Sequence, residues 1–363
     1  MQKIIMKIFI VFVSIIAVVA LIAVIILSQP KFGRTPRGER LARSQKSWHY
    51  QDGQWQNEVE TQTFTGDKGW VRTLGEFLFV RTERLRPDKP VPAVKTDLRS
   101  LPDSTDWIVW FGHSSYLLNL AGKKVLVDPV FYEANPFPFG GHPFEGTDLY
   151  RPDDLPEYID LLLITHDHWD HLDYKTVRPM QPRIGRVVAP LGVGEHFAYW
   201  GYPESKLTDL DWWEAKELED GFRVTCTPQR HFSGRGLKRN RALWGSFVLE
   251  TPHGAYFFGG DGGYGPHFQA IGQRFDLRLA ILENGQYNTQ WANIHTLPEQ
   301  LGQEALDLRA QEVITGHHSK FVLARHPWDE PLMNEQKAAQ DNGINLTVLT
   351  IGEPYFLKGT SKN

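Results

Sequence analysis

Three histidines and three aspartates fall within eight positions, His166 to Asp173, of the stretch ITHDHWDHLDY. They come directly after an apolar run, IDLLLI. A solvated polar turn is the plainest reading of such a stretch. The spacing H-x-H-x-D-H argues against it, because a loop leaving a strand can turn alternate side chains towards one point. His166 and His168 could then converge on one cation while Asp170 and His171 face a second. Imidazole and carboxylate are the ligands of zinc-like divalent ions where no thiolate is offered. A dinuclear site needs further ligands at other strand ends. His231 follows VTCTPQR, Asp261 follows AYFFGG, and His317 with His318 follows EVITG. Singly, each is an ordinary turn residue; beside the first cluster they form a candidate ligand set.

The elements that must position these side chains are short apolar runs. DWIVWFG, SYLLNLAG and KKVLVDP alternate or run apolar and are broken by Gly or Asp-Pro, as strands joined by tight turns are. YIDLLLITH is continuous and too short for a long helix, which suits a strand buried on both faces. Further strands are expected at GRVVAP, FRVTCTPQ, WGSFVLETP, GAYFFGGD, LRLAILE, EVITGHH and NLTVLTIG. Helices are expected at YKTVRPM, VGEHFAYWG, PHFQAIGQRF and LPEQLGQEALDLRA. Strands interleaved with helices imply sheets covered by helices, an α/β layered domain over residues 101–358.

With 363 residues, 41% hydrophobic and 12% aromatic, the chain can bury a full-sized core. A net charge of −4 and a pI near 6.4 offer no basic field for nucleic acid. The single cysteine, Cys226, cannot form an intramolecular disulfide and reads as a small buried residue. From Ile8 to Leu27 the only polar residue is Ser14, enough apolar chain to cross a hydrocarbon core of roughly 30 Å as a helix. The run exceeds a typical signal-peptide core, and ILSQPKFGR lacks a small-x-small cleavage site, so residues 1–28 read as an uncleaved single-pass anchor in the cell membrane. Lys3 and Lys7 precede the span; Lys31, Arg34, Arg37, Arg40 and Arg43 follow it, which favours a cytoplasmic catalytic domain. That basic cluster could also lie against anionic headgroups. Residues 29–100, with Trp48, Tyr50, Trp55 and Trp70 scattered among Pro, Gly and charge, read as an irregular juxtamembrane arm with some helix near GERLARSQ.

Taken in order, WFGHSSYLLNLAGKKVLVDPVF, ITHDHWDHLDY, LDWWE, CTPQRHFSGR, LWGSF, FFGGDGGYGPHFQAIGQRF, IHTLPEQ and HHSKF resemble the metallo-β-lactamase superfamily. Within it they are similar to the branch containing N-acyl-phosphatidylethanolamine-hydrolysing phospholipase D. The resemblance spans roughly Trp107 to Phe321 and implies a four-layer αββα sandwich. It also implies two Zn²⁺ per chain: one held by His166, His168 and His231, the other by Asp170, His171 and His317, with Asp261 bridging. His317 is preferred to His318 from its place before Phe321. The resemblance puts His295 over the metals, where it would polarise substrate or assist the leaving group; otherwise it would cap the helix beginning near Pro298. Asp170 and His295 are the expected catalytic groups, and Tyr264 and Tyr287 the expected substrate contacts.

Other conspicuous residues have plainer roles. Asp173 could orient a ligating imidazole or stand in a solvated turn. His113 reads as a structural or pocket residue, and His142, His196, His267 and His326 as non-ligands. Trp212 and Trp213 read as packing residues. FGGDGGYG lacks the Lys-Ser/Thr ending of a phosphate loop.

Two cations about 3.5 to 4 Å apart would acidify a bridging water and yield hydroxide near neutral pH. The expected activity is that of a membrane-anchored dinuclear-zinc phosphodiesterase acting on N-acyl-phosphatidylethanolamine-like phospholipids through that hydroxide. The alternatives are a lactonase or small-ester hydrolase on the same site, and a catalytically silent, membrane-tethered binding module. The segment GQYNTQWANIH is shorter than its counterpart in the lipid-hydrolysing relative and borders the expected site. The sequence leaves oligomeric state open.

Overall fold

A computed structural model describes residues 2–66, 69, 72, 75, 80–137 and 140–358. Trp70 lies outside the described residues. The apolar runs divide their side chains between layers, which is what generates two facing sheets. Along Ser246–Thr251, for instance, Phe247 and Leu249 join the core between the sheets while Val248 joins the core beneath a helical layer. In chain order the first elements are α1 (Gln2–Leu27), α2 (Gly38–Ser44), β1 (Tyr50–Gln51), β2 (Gln54–Trp55), β3 (Trp107–Trp110), β4 (Tyr116–Leu120), β5 (Lys123–Val127) and β6 (Ile159–Leu163). There follow α3 (Tyr174–Val177), β7 (Ile184–Pro190), α4 (Gly194–Tyr199), β8 (Leu207–Leu210), β9 (Ala215–Glu217) and β10 (Arg223–Thr227). The last are β11 (Ser246–Thr251), β12 (Gly254–Phe258), α5 (His267–Arg274), β13 (Leu277–Glu283), α6 (Leu301–Leu308), β14 (Val313–Gly316), α7 (Glu330–Asn342) and β15 (Pro354–Phe356).

One sheet has seven strands in the order β15-β3-β4-β5-β6-β7-β8, the other six in the order β14-β13-β12-β11-β10-β9. Between them lies a core that includes Trp110, Val127, Leu163, Phe247, Tyr256 and Ile281. A second core, with Leu126, Leu162, Val187, Phe197 and Trp200, lies under α3 and α4. A third, with Phe257, Phe268, Leu282, Leu301 and Ala338, lies under α5, α6 and α7. The order of layers is therefore helix, sheet, sheet, helix.

Strands β5, β6, β7 and β8 are parallel. In the other sheet β12, β13 and β14 are parallel, and β10 shares their direction because both it and β12 pair antiparallel with β11. The carboxyl ends of both sets open on one rim of the sandwich. That is where a crevice for chemistry forms in sheets of this kind.

Two local expectations change. NLTVLTIG forms no strand: it makes single bridges, Leu346 with Val313 and Ile351 with Ala93, because it crosses from the edge of one sheet to the edge of the other. It delivers the chain to β15, which pairs with β3. Helix α7 is not among the expected helices because it has too few apolar residues to make a stripe; Pro331, Glu335 and Ala338 are its buried residues.

Helix α1 is long and apolar enough to cross a membrane, and none of its residues is buried against the protein. The segment after it is irregular, but it is not a loose tether. Arg34 donates to Glu195 at 2.7 Å, Arg40 reaches Asp209 at 3.2 Å and also meets Glu204, and Arg43 holds Glu214. The arginines that follow the span are thus paired with carboxylates of the domain rather than left free for headgroups. Trp55 is fully buried in the core between the sheets.

His267, at the start of α5, is buried with Nε2 2.7 Å from Gln229 Oε1. Burial, helped by nearby Arg230, pushes its imidazole down to about 3. The unfolded chain therefore takes up this proton first, near 6.5, while the folded state resists. Stability should fall as pH drops from 6.5 towards 3, by up to ~1.4 kcal/mol per pH unit from this group. His267→Gln should flatten the dependence of melting temperature on pH in that window. An unchanged slope would show that His267 is not a source of the acid sensitivity.

Candidate metal centre

The crevice rim collects one ligand-type residue from almost every strand that ends there. Asp128 follows β5, the cluster His166 to His171 follows β6, His231 follows β10 and Asp261 follows β12. Glu283 ends β13, and His317 follows β14. Tight backbone is needed to bring them this close. Gly260 takes a φ of 62°, and a Cβ there would meet the Thr165 side chain at 2.7 Å, so only glycine lets Asp261 approach the loop after β6. His113, Asp128 and His317 themselves adopt positive φ, 54°, 40° and 64°. Strain of this kind persists where surrounding structure imposes it, commonly at functional sites.

The ligand atoms fall into three overlapping groups, each with atoms lying within 4.8 Å of one another. His166, His168, His231 and Asp261 form the first; His113, Asp170, His171 and His317 the second; Asp261, Glu283, His295 and His317 the third. In the first, His168 Nδ1 lies 2.9 Å from His166 Nε2 and 3.2 Å from His231 Nε2. Asp261 stands between groups: its Oδ2 is 3.9 Å from both His166 and His231, while Oδ1 is 3.0 Å from His171 Nε2 and 3.0 Å from His317 Nδ1.

Buried polar atoms ordinarily find hydrogen-bond partners. Asp261 Oδ1, His171 Nε2 and His317 Nε2 are buried and have none. Ligand atoms that converge while several of them stay without a hydrogen bond fit a cation between them. Mixed imidazole and carboxylate donors suit a divalent ion.

Behind the cluster a further set of groups fixes ring orientation. His171 Nδ1 lies 2.7 Å from Asp128 Oδ2, and Asp128 also accepts from Thr165 N and Oγ1 at 2.8 and 2.6 Å. That leaves His171 Nε2 turned to the cluster. His231 Nδ1 donates to the Ile294 carbonyl at 2.8 Å. Its backbone is gripped by Asn57 of the segment after α1: Asn57 Nδ2 donates to His231 O at 2.9 Å and Oδ1 accepts from His231 N at 3.1 Å. His113 Nε2 meets Asp170 Oδ2 at 2.9 Å, so this pocket histidine touches a cluster carboxylate directly.

The electrostatics leave most lone pairs free. Burial and the neighbouring imidazoles hold His166, His231 and His317 well below the ordinary histidine range. Burial takes His168 and His113 down to about 4. His171 is the exception: burial lowers it, but Asp261, Asp170 and Asp128 together hold it well above the ordinary value. Burial raises Asp261 to about 7. For Asp170 burial acts the same way, yet His171 and His113 keep it well below the carboxylate range.

The other candidate residues are placed as follows. His317 lies in the cluster; His318 does not, since its Nδ1 bonds Ser319 Oγ at 2.7 Å and its Nε2 faces Glu335 at 3.7 Å. His295 Nδ1 bonds Glu283 Oε2 at 2.8 Å, and its ring stacks 5.4 Å from that of His317. It is not a helix cap, since Gln300 occupies that position on α6. Tyr264 turns away: its hydroxyl donates to Asp307 at 2.8 Å and its ring stacks on Phe268 in the outer helical layer. Tyr287 likewise donates to Glu330 at 2.6 Å and stacks on His326. Neither expected substrate contact offers its hydroxyl to the cluster, because both are engaged with carboxylates of outer helices or their flanks. Asp173 caps α3 by accepting from Lys175 N, while Asp128 is the carboxylate that orients an imidazole. Asp128 and Glu283 passed unnoticed in the sequence, although VLVDP and LAILE each end an apolar run on an acid.

The family model of the beta-lactamase superfamily domain matches residues 123–318. An uncharacterised protein of Mycobacterium bovis is 35% identical over 318 residues, 85% of this chain and 84% of its own. The N-acyl-phosphatidylethanolamine-hydrolyzing phospholipase D 1 of Caenorhabditis elegans is 31% identical over 233 residues, 59% of this chain and 64% of that one. Among solved structures, Igni18, a metallo hydrolase of the archaeon Ignicoccus hospitalis, superposes with a TM-score of 0.55 at 21% identity, over 70% of this chain and 99% of that one. The chain belongs to the metallo-β-lactamase superfamily, in its αββα fold. It is a metallo-hydrolase, with relatives that include phospholipases of the D type.

Asp128→Asn should keep the fold and weaken divalent-metal binding about 10–100-fold, because an amide cannot stabilise the orientation of His171 as a carboxylate does. Competition against a chromogenic chelator measures this. Affinity equal to the parent protein would remove Asp128 from the site.

Proposed function

We propose that the chain is a membrane-anchored, dinuclear-zinc phosphodiesterase acting on N-acyl-phosphatidylethanolamine-like phospholipids. The observation that carries the reading is the Asp261 carboxylate standing between two sets of ligand atoms, 3.9 Å from His166 and His231 on one side and 3.0 Å from His171 and His317 on the other. His166, His168 and His231 would hold one ion, Asp170, His171 and His317 the other, and Asp261 both. Bound there, the ions supply Lewis acidity and a water acidified towards neutral pH. A complete and buried donor set argues against a silent binding module.

The chain's own residues set the rest of the chemistry. Asp128 fixes the His171 ring and Ile294 the His231 ring, so the ligands need little reorganisation. His295, tied at Nδ1 to Glu283, leaves Nε2 as its remaining polar atom, beside His231 and His317. From there it can pass a proton to a departing headgroup oxygen or hold a phosphoryl oxygen by a hydrogen bond. Glu283 is itself held by the N–H groups of Thr296 and Gly262, which makes its position a property of the backbone.

Two observations favour a lipid. The relative from Caenorhabditis elegans is named for a phospholipid substrate. Helix α1 would keep the domain at a bilayer. A lactone or small ester is the competing substrate, and the test separates them.

Purified full-length protein in detergent micelles should convert N-acyl-phosphatidylethanolamine to phosphatidic acid and N-acylethanolamine. A chelator should stop the reaction and added zinc restore it. His295→Ala should lower kcat by ~10²–10⁴ while leaving metal content unchanged. Turnover of lactones alone would overturn the phosphodiesterase assignment, and turnover insensitive to chelation would overturn the metal mechanism.

A further inference from the structure

The loop that leaves His231 ends in an exposed tip, Gly236 to Arg239, whose residues face solvent in succession. Leu237 is 85% exposed, more than any other large apolar residue described. The tip stands on a rigid base. Asn240 N donates to Ser233 O at 3.0 Å, Gly234 N donates to Asp167 Oδ1 at 2.7 Å, and the buried Arg235 guanidinium donates to Leu172 O at 2.6 Å. The same guanidinium lies 4.0 Å over the Trp169 ring, within the H-x-H-x-D-H loop. An apolar side chain displayed this way is held outward by the fold.

Its place relative to α1 gives the display a meaning. A cavity of about 350 Å³ separates the tip from the start of the chain's folded domain. Leu27, the last residue of α1, and Phe32 line one wall; Leu237 and Lys238 line another. Leu27 also ends the apolar run, and Ser28, Gln29, Pro30 and Lys31 follow it. If α1 spans a bilayer, Leu27 marks the hydrocarbon boundary, and Leu237 stands beside that boundary.

We propose that the Gly236–Arg239 tip is a second membrane contact. Leu237 enters the boundary between headgroups and acyl chains, and Lys238 and Arg239 meet the phosphates of anionic lipid. The inference rests on α1 being a membrane span. Attachment at two points fixes the domain's tilt, and the loop's root then matters. Phe232 lies 4.4 Å from the His168 ring, and the Arg239 guanidinium lies 5.0 Å over Phe232. A lipid entering at the tip would pass along Phe232 to the metal cluster without leaving the bilayer surface.

The experiment uses the full chain reconstituted in vesicles of phosphatidylcholine with phosphatidylglycerol. Leu237→Cys takes an environment-sensitive maleimide fluorophore, and the buried Cys226 does not compete for it. Met333→Cys, on α7 in the opposite helical layer, is the exposed control. The probe at 237 should emit at shorter wavelength and be quenched several-fold more than the probe at 333 by lipids carrying a nitroxide near the headgroup. Adding Lys238→Glu and Arg239→Glu should reduce that quenching. Protein that sediments with vesicles but shows equal quenching at both positions would overturn the second contact alone. Protein that stays in the supernatant would overturn the anchor, and with it this inference.

Discussion

A group of imidazoles and carboxylates is held out of water with too few hydrogen bonds among its members, and the rest of the molecule is arranged around that fact. Desolvating such groups costs several kcal/mol each unless something compensates. His171 Nε2, His317 Nε2 and Asp261 Oδ1 make no hydrogen bond of good geometry, although His171 and Asp261 face each other as charges. The burial is therefore a cost of folding that divalent ions are suited to offset, and metal binding and stability should be linked.

Holding the donors in that state makes demands on the scaffold. The donors come from separate strands, so both sheets must turn their carboxyl ends to one rim. The antiparallel strand β11 brings β10 into the direction of β12 and thereby puts His231 on the same side as Asp261. The last approach is made by backbone in a strained conformation at His113, Asp128 and His317, and by Gly260 where a Cβ would strike Thr165. Such conformations persist only because the cores on either face of each sheet leave the chain no other path.

The segment between α1 and the sandwich belongs to this support. Asn57 bonds both backbone polar groups of His231, and Trp55 fills the core between the sheets. Phe32, a few residues past α1, packs edge-on against Trp169 at 5.0 Å. The chain leaving α1 is thus in contact with the ligand loop. The end of α1 and the ligand cluster are linked through one patch of packed residues.

Local pattern determined what was legible beforehand. Alternating apolar runs produce strands, the H-x-H-x-D-H loop brings its own donors together because they are neighbours in the chain, and the twenty-odd apolar residues of α1 need no tertiary partner to be helical. What pattern cannot decide is which distant residues meet. His317 rather than His318 enters the cluster because β14 ends with one imidazole facing the rim and the next facing Glu335, a difference of a single residue in register. Asp128 and Glu283 are ordinary acids at strand ends until β5 and β13 are placed beside β6 and β12. Tyr264 and Tyr287 look like contacts for a substrate until α6 and the start of α7 draw their hydroxyls to Asp307 and Glu330. Sheet order and register are set by packing across the whole domain, so these choices belong to the tertiary structure alone.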